Sequence, residues 1–343
     1  MAHLRPAFGA LGQADVRLLG AFLGVLILHK LANAWMQRAS LPDGIDVSLT
    51  RLWMASEAHV GASNAVMGGA GVGFGLRAAM LRSWGVDGPT VGASLVICAA
   101  APSMALWLVA AVHLVVRIVA GHASGFDRWT TALAFGVVGA QFAVGRAILS
   151  HGGVRLAGRA LGFGQRLLIR RAPRVARRRL ALSGDVDRWT HDVRDATITV
   201  VRRKGLRVVA SAALSQVTLG LILLAGTRLV LSPHAALDGL AVLRGFAVVR
   251  AFSSFVPLPN GVGVLDVGLV TVLVRAGVPA PTAAVAMGIY RLATFAAPVV
   301  SGMACTAIWR ARIAVTRPAS TSGAARPIGP AGSLANAATS VTS

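Results

Sequence analysis

Carboxylates are scarce in this chain. Its 343 residues include a single glutamate, Glu57, and Asp+Glu total 12 against 34 Lys+Arg, for a formal net charge of +22. Charged residues make up only 13% and hydrophobic residues 55%, with a mean hydropathy of +0.68. No ordinary water-soluble domain joins so few charges to so much apolar surface, so the composition is that of a polytopic membrane protein. In such a protein a basic excess reads as anchoring on the cytoplasmic side, and nucleic acid is not expected as a partner. Cysteine is nearly missing too: Cys98 and Cys305 both lie in apolar runs, which excludes a disulfide framework and a cysteine-rich metal site. Also missing are an H-E-x-x-H zinc motif and a P-loop, and Gly69, Gly71, Gly73 and Gly75 do not fit G-x-G-x-x-G. No catalytic residue, metal or cofactor is therefore expected. Met1 to Arg17 lacks a signal-peptide pattern, so the first apolar run is expected to remain as an anchor.

What the chain does have is long apolar runs. A helix needs roughly 20 apolar residues to cross a bilayer. Val91 to Val116 and Val208 to Thr227 meet that length without a charge, as does Leu292 to Trp309 in a helix starting near Thr282. Leu18 to Gln37, interrupted by His29 and Lys30, and Trp129 to Leu149, with Arg146 near its end, are further spans. Lys30 calls for a polar partner.

Two other apolar regions, 52–80 and 240–274, are broken at their centres, the first by Gly68 to Gly73 and the second by Pro257 to Gly263. Prolines and clustered glycines release backbone groups that lipid cannot satisfy. Each region is predicted to be a helix, a non-helical tip and a second helix, with re-entry into the membrane competing with a full span. The two regions also resemble each other. Gly71-Val72-Gly73 precedes Gly85-Val86, Gly261-Val262-Gly263 precedes Gly277-Val278, and a long uncharged helix follows each pair. Recurrence of this kind is expected of transporter folds with inverted repeats, although a glycine-rich chain also repeats glycines by chance.

The expected fold is all-α and polytopic, with about 5–8 transmembrane helices including the two broken hairpins. Residues 1–150 form a first membrane half, 151–207 a basic linker, 208–312 a second half and 313–343 a disordered tail. The linker holds 14 Arg and one Lys against four Asp, which places it on the cytoplasmic side of the plasma membrane, together with the tail. Within it, the Arg-rich stretch Phe163 to Leu180 reads either as a topogenic loop or as an interfacial helix on anionic headgroups.

Ionised groups at membrane depth cost ~2.5 to 3.5 kcal/mol on insertion scales, so each needs a partner, a cavity or a ligand. Glu57 and Arg77 flank the first break; Arg250 precedes the second, Asp266 follows it, and Arg291 lies inside the last long helix beside Tyr290, the only tyrosine. Two readings stand. These residues form an anion site, with half-helix N-termini at Gly71 to Gly73 and Gly261 to Gly263 supplying backbone N–H groups. Alternatively, Glu57 with Arg77, and Asp266 with Arg291 or Arg250, are structural ion pairs.

The second half, Pro257-x-Pro259-Asn260-Gly261-Val262-Gly263-Val264-x-Asp266, then Gly277-Val278, then Tyr290-Arg291-Leu292-x-Thr294-Phe295-x-x-Pro298, resembles the signature of the lysylphosphatidylglycerol synthase transmembrane region, a flippase-like family. The glycine-rich stretch ending in Arg77 and followed by Gly85 is similar to that family's weaker N-terminal motif, so the resemblance spans most of Leu18 to Arg310. Departures are Asn260 in Pro259-Asn260-Gly261-Val262-Gly263, where the family usually has Pro-Gly-Gly-x-Gly, and Asp266 where the family usually has Glu. The resemblance implies a lipid-handling membrane domain that binds or translocates an anionic phospholipid or lipid-linked anion, with Glu57, Arg77, Arg250, Pro259, Gly261, Gly263, Asp266, Tyr290 and Arg291 as candidate binding residues. Only a short tail follows Arg312, so this chain is not expected to synthesise lysylphosphatidylglycerol. A non-transporting membrane scaffold and an intramembrane lipid-modifying enzyme are the alternative functions. For the linker, a cysteine introduced by Ser183→Cys is expected to resist impermeant thiol reagents in intact cells and to react once the membrane is opened.

Overall fold

Helix starts account for many of the few carboxylates. Asp15 Oδ1 accepts the Arg17 N–H at 2.9 Å, Asp87 Oδ2 that of Thr90 at 3.0 Å, and Asp238 Oδ1 those of Leu240 and Ala241 at 3.1 and 3.0 Å. A short acceptor at these positions satisfies N–H groups that have no intrahelical partner and favours the positive end of the helix dipole. The computed structural model describes residues 15–66, 69–119, 121, 125–150, 152–153, 186–232, 235–253 and 261–316. Over these residues the chain runs as α1 (Val16–Ala39), α2 (Leu49–Ala65), α3 (Gly69–Ser83), α4 (Gly88–Val119), α5 (Gly125–Leu149), α6 (Val186–Val230), α7 (Gly239–Ser253), α8 (Val264–Arg275), α9 (Ala280–Arg291), a π-turn (Leu292–Ala296) and α10 (Ala297–Thr316). Four stretches of the described residues are long and apolar enough to cross a membrane: Val16–Ala39, Gly88–Val109, Arg188–Val230 and Ala280–Ile313.

The two helical arms of each expected hairpin are present, and the first hairpin breaks earlier than the sequence suggested. Val66 is extended (φ −132°, ψ 139°), and Gly69 to Gly73 are already helical in α3. These glycines serve close packing instead: a Cβ on Gly69 would lie 2.7 Å from the Ala62 carbonyl oxygen, and one on Gly73 2.5 Å from that of His59. Clustered glycine looked like a break because it is poor helix material in isolation. Here it lets α3 fold back tightly along α2. In the second region α7 and α8 flank residues 254–260, which lie outside the described residues and include Pro257, Pro259 and Asn260. Gly261 (φ 64°) and Gly263 (φ 89°) then take backbone angles that no α-helix contains.

The recurrence seen in the sequence has a local structural counterpart. Gly85 (φ 86°) ends α3 and Gly277 (φ 91°) ends α8. The following valine N–H bonds back to the Leu81 carbonyl at 3.2 Å in one case and to the Leu273 carbonyl at 3.0 Å in the other. Both are Schellman ends, with the leucine and valine buried together.

The two sequence halves interleave. α1 packs along α6 and α10 along α2, while α4 contacts α5, α6 and α7. The largest core cluster joins Ile222 and Leu223 of α6, Val242 and Phe246 of α7, the stripe Leu265, Leu269 and Leu273 of α8, and Met287 and Tyr290 of α9. α6 is 45 residues long, roughly 68 Å. The junction of linker and membrane segment near residue 207 therefore falls inside one helix. Its basic N-terminal part is docked: Trp189 and Val193 sit against Gly88 and Gly92 of α4, and Lys204 donates to the Leu41 carbonyl at 2.9 Å while pairing with Asp43 at 2.5 Å. The Lys204 hydrogen bond holds the Asp43 carboxyl below its usual range. Phe163 to Leu180 lies outside the described residues.

α2 and α10 cross at glycine. A Cβ on Gly61 would lie 2.5 Å from the Pro298 carbonyl oxygen, and one on Gly302 2.5 Å from that of Glu57. Gly61→Ala is expected to destabilise the protein by about 1–3 kcal/mol through overpacking, read as a lower unfolding temperature. Gly71→Ala, where nothing lies within 4 Å, serves as the control and should stabilise α3 by about 0.5–1 kcal/mol.

Candidate functional site: a polar cavity inside the helix bundle

The first charged residue of α1, Arg17, is followed by an apolar stretch that is first interrupted by His29 and Lys30. Lys30 finds the chain's one glutamate. Its Nζ donates to both carboxylate oxygens of Glu57, at 2.7 and 2.6 Å, and the two side chains are 20% and 4% exposed. The Ser301 hydroxyl of α10 donates to Glu57 Oε2. One buried carboxylate thus ties three helices together, and its hydrogen bonds offset the desolvation that burial costs.

His29 makes a second junction. Asn33 Nδ2 approaches its Nε2 at 3.1 Å, while Nδ1 faces the Ser215 carbonyl at 3.2 Å and the Thr218 hydroxyl at 3.1 Å. That pattern assigns a neutral ring with its proton on Nδ1. The Ser215 hydroxyl donates to Asn33 Oδ1 at 3.1 Å, which completes a network between α1 and α6.

These groups surround a cavity of about 520 Å³. α1 contributes His29, Lys30 and Asn33; α2 contributes Glu57, Ser63 and Asn64; α6 contributes Ser215 and Gln216. Arg250 from the end of α7 and Tyr290 of α9 complete the charged and aromatic lining. Gly69 and Ala70, the first residues of α3, also face it. The ends of α3 and α7 that adjoin the two breaks therefore reach the same space. Among the described residues the charged side chains on this lining are Lys30, Glu57 and Arg250. Tyr290 is 2% exposed, and its ring meets Phe246 edge-on at 6.2 Å.

Of the residues singled out in the sequence, Glu57, Arg250 and Tyr290 line this cavity. Arg77 does not join them. It is 2% exposed and donates to Ser94 Oγ at 2.9 Å and Cys98 Sγ at 3.2 Å, bracing α3 on α4. The expected Glu57–Arg77 pair is thus replaced by Glu57–Lys30, because α1 lies against α2 and brings its ammonium closer. Arg291 and Asp266 form a two-pronged pair, Nε to Oδ1 at 2.6 Å and Nη2 to Oδ2 at 2.9 Å, joining α9 to α8, and neither is among the cavity-lining residues. Asp266 Oδ2 also accepts the Gly263 N–H at 2.8 Å, so Gly263 and Asp266 together shape the start of α8. Gly261 lies in the turn just before it, and Pro259 falls outside the described residues. Each half thus carries one polar bridge from its second hairpin arm to the next helix.

Sequence reasoning missed His29, Asn33, Asn64, Ser215, Gln216 and Ser301 as cavity or pair residues. Ordinary polar residues in apolar helices carry no distinguishing pattern, and the request of Lys30 for a partner was the one usable signal.

A family model of the lysylphosphatidylglycerol synthase TM region matches residues 8–302. The chain belongs to that family. The family match takes in every cavity-lining residue, and together with the four apolar stretches it makes this an all-α polytopic membrane protein. Among curated proteins, none matches the chain.

The Lys30–Glu57 pair should behave as a buried ion pair. Lys30→Met alone is expected to cost about 3–5 kcal/mol by stranding the carboxylate, and Lys30→Met with Glu57→Met should recover most of that loss. A thermal-unfolding double-mutant cycle in detergent reads the coupling, and additive effects would mean that the pair contributes nothing.

Proposed function

We propose that this protein binds an anionic phospholipid or lipid-linked anion in the cavity between α1, α2, α6, α7 and α9 and carries it across the plasma membrane. The observation that carries the reading is the composition of the lining: the Lys30–Glu57 pair and the Arg250 guanidinium face one space together with several neutral polar side chains. A phosphate group suits that arrangement, since guanidinium offers a forked donor. Asn33, Asn64, Gln216 and Ser63 supply neutral donors and acceptors for a hydroxylated headgroup. The family's name points to phosphatidylglycerol-type lipids and supports a lipid ligand. In this reading the chain is a carrier without a catalytic residue, its basic linker faces the cytoplasm, and Asp266 and Arg291 position the helices rather than touch the ligand.

The π-turn fits the same reading. Leu292–Ala296 interrupts the long final helix one residue after Arg291 and shortly before Pro298, and Ala293, Thr294 and Pro298 line the cavity. π-turns mark places where a helix can change register at modest cost, and they are frequent at functional sites.

In vesicles reconstituted with fluorescent phosphatidylglycerol, Arg250→Gln is expected to lower headgroup-dependent lipid movement at least tenfold (about 1.4 kcal/mol). The double variant Asp266→Asn with Arg291→Gln should transport at near the normal rate wherever it remains folded. Equal movement of anionic and zwitterionic lipid by the unmodified protein would refute the function.

A further inference from the structure

A carboxylate that is 4% exposed and is paired with Lys30 sets a condition on any anion entering the same cavity. Lys30 Nζ already gives hydrogen bonds to both Glu57 oxygens. Among the described residues, Lys30 and Arg250 are the lysine and arginine side chains that line the cavity. A phosphate bound between them competes directly with Glu57 for the ammonium. Lysine is a compact charge on a flexible stem and can turn to a new acceptor. The carboxylate it leaves behind would then be an uncompensated buried charge, which is strongly unfavourable.

We propose, on the basis of the function argued above, that an anionic phosphodiester binding in this cavity takes Lys30 from Glu57 and that Glu57 takes up one proton as it does so. Ligand and proton thus enter the site together, and the net charge of the lining with its ligand does not change. The bookkeeping is simple: one ligand negative charge enters, one proton from solvent converts the Glu57 carboxylate to the carboxylic acid, and no covalent bond in the ligand is made or broken.

The geometry around Glu57 provides for both protonation states. Ser301 donates to Oε2 of the carboxylate in the structure and has a second acceptor nearby, the Pro298 carbonyl at 3.4 Å. A hydroxyl can donate in one direction and accept from another. When Glu57 is protonated, Ser301 can turn its proton to Pro298 and accept the Glu57 O–H. Both forms are hydrogen-bonded without moving a helix.

Other titratable and charged groups among the described residues pack around Glu57. α1 presents Lys30 and His29, α7 presents Arg250, and α9 presents Tyr290. Cys305 of α10 lies within electrostatic reach of Glu57. On α2 itself His59 stacks against Phe74 of α3 at 4.5 Å, and Arg77 of α3 is bound to Ser94 and Cys98. α6 contributes Ser215, Gln216 and Leu219, none of which titrates. His29 is the competing proton acceptor. Its Nε2 already receives the Asn33 N–H, so a second proton there would set two donors against each other, and Glu57 has no such conflict.

The test is titration calorimetry of the full chain in detergent, with two probes. One is dihexanoyl phosphatidylglycerol below its micelle concentration, and the other is glycerophosphoglycerol, the same phosphodiester without acyl chains. Neither phosphodiester titrates near neutral pH, so buffers of different ionisation heat report protons taken up by the protein. Near one proton per bound ligand is expected, with the association constant falling about tenfold per pH unit above neutrality. The probe that binds distinguishes a lipid source from a soluble phosphodiester, and uptake with either supports the coupling. Glu57→Gln should bind without proton uptake and without pH dependence; if it proves unstable, Lys30→Gln with Glu57→Gln removes the pair in neutral form and should behave likewise. Binding by the unmodified protein with no proton uptake overturns this inference and leaves the proposed function standing. Uptake that survives the loss of Glu57 overturns it in favour of His29. No binding of either probe removes both the inference and the function beneath it.

Discussion

The Lys30–Glu57–Ser301 junction is the interaction on which the centre of the molecule depends. It links α1, α2 and α10 through one carboxylate, and the cavity exists because those helices are held together at its edge while α6, α7 and α9 close the other sides. In a bilayer the junction matters more than the same contacts would on a water-exposed surface. Helices surrounded by lipid gain little from apolar burial against each other, so packing and polar contacts must supply the association. Three of the chain's helices are joined by a contact that is at once a structural tie and a charged wall of the cavity.

Close glycine contacts supply the rest. α2 and α10 meet where Gly61 and Gly302 bring their backbones together, and α3 lies against α2 through Gly69 and Gly73. The same crossing places the Glu57 carbonyl beside Gly302 and the Pro298 carbonyl beside Gly61. The residues around the acid, the π-turn that precedes α10 and the glycine crossing are therefore one mechanical unit.

Several elements were legible because one local rule dominated them. Apolar runs of spanning length announced α1, α4 and α10, and the Gly85-Val86 and Gly277-Val278 pairs announced two matching helix ends, since the Schellman turn needs a residue with positive φ. The first hairpin tip was misplaced because glycine carries two meanings, helix breaker and close-packing residue, and only the neighbour decides between them. Arg77 was grouped with the wrong partners for a similar reason. A cation in an apolar helix demands a polar contact, yet Ser94 and Cys98 across α4 meet that demand without a carboxylate.

The sequence by itself determined the class of the molecule, its helical hairpins, its basic linker and the family to which it belongs, because these follow from composition and from spacing along the chain. It also marked Glu57, Lys30, Arg250 and Arg291 as charges in need of an explanation. Which of them share a cavity was decided by the tertiary structure alone. The interleaving of the halves sets α1 beside α2 and α6, so Lys30 reaches Glu57 while Arg291 turns to Asp266. Pairings across 27 and 25 residues depend on how helices cross, and no periodicity within one helix encodes the angle at which it meets another.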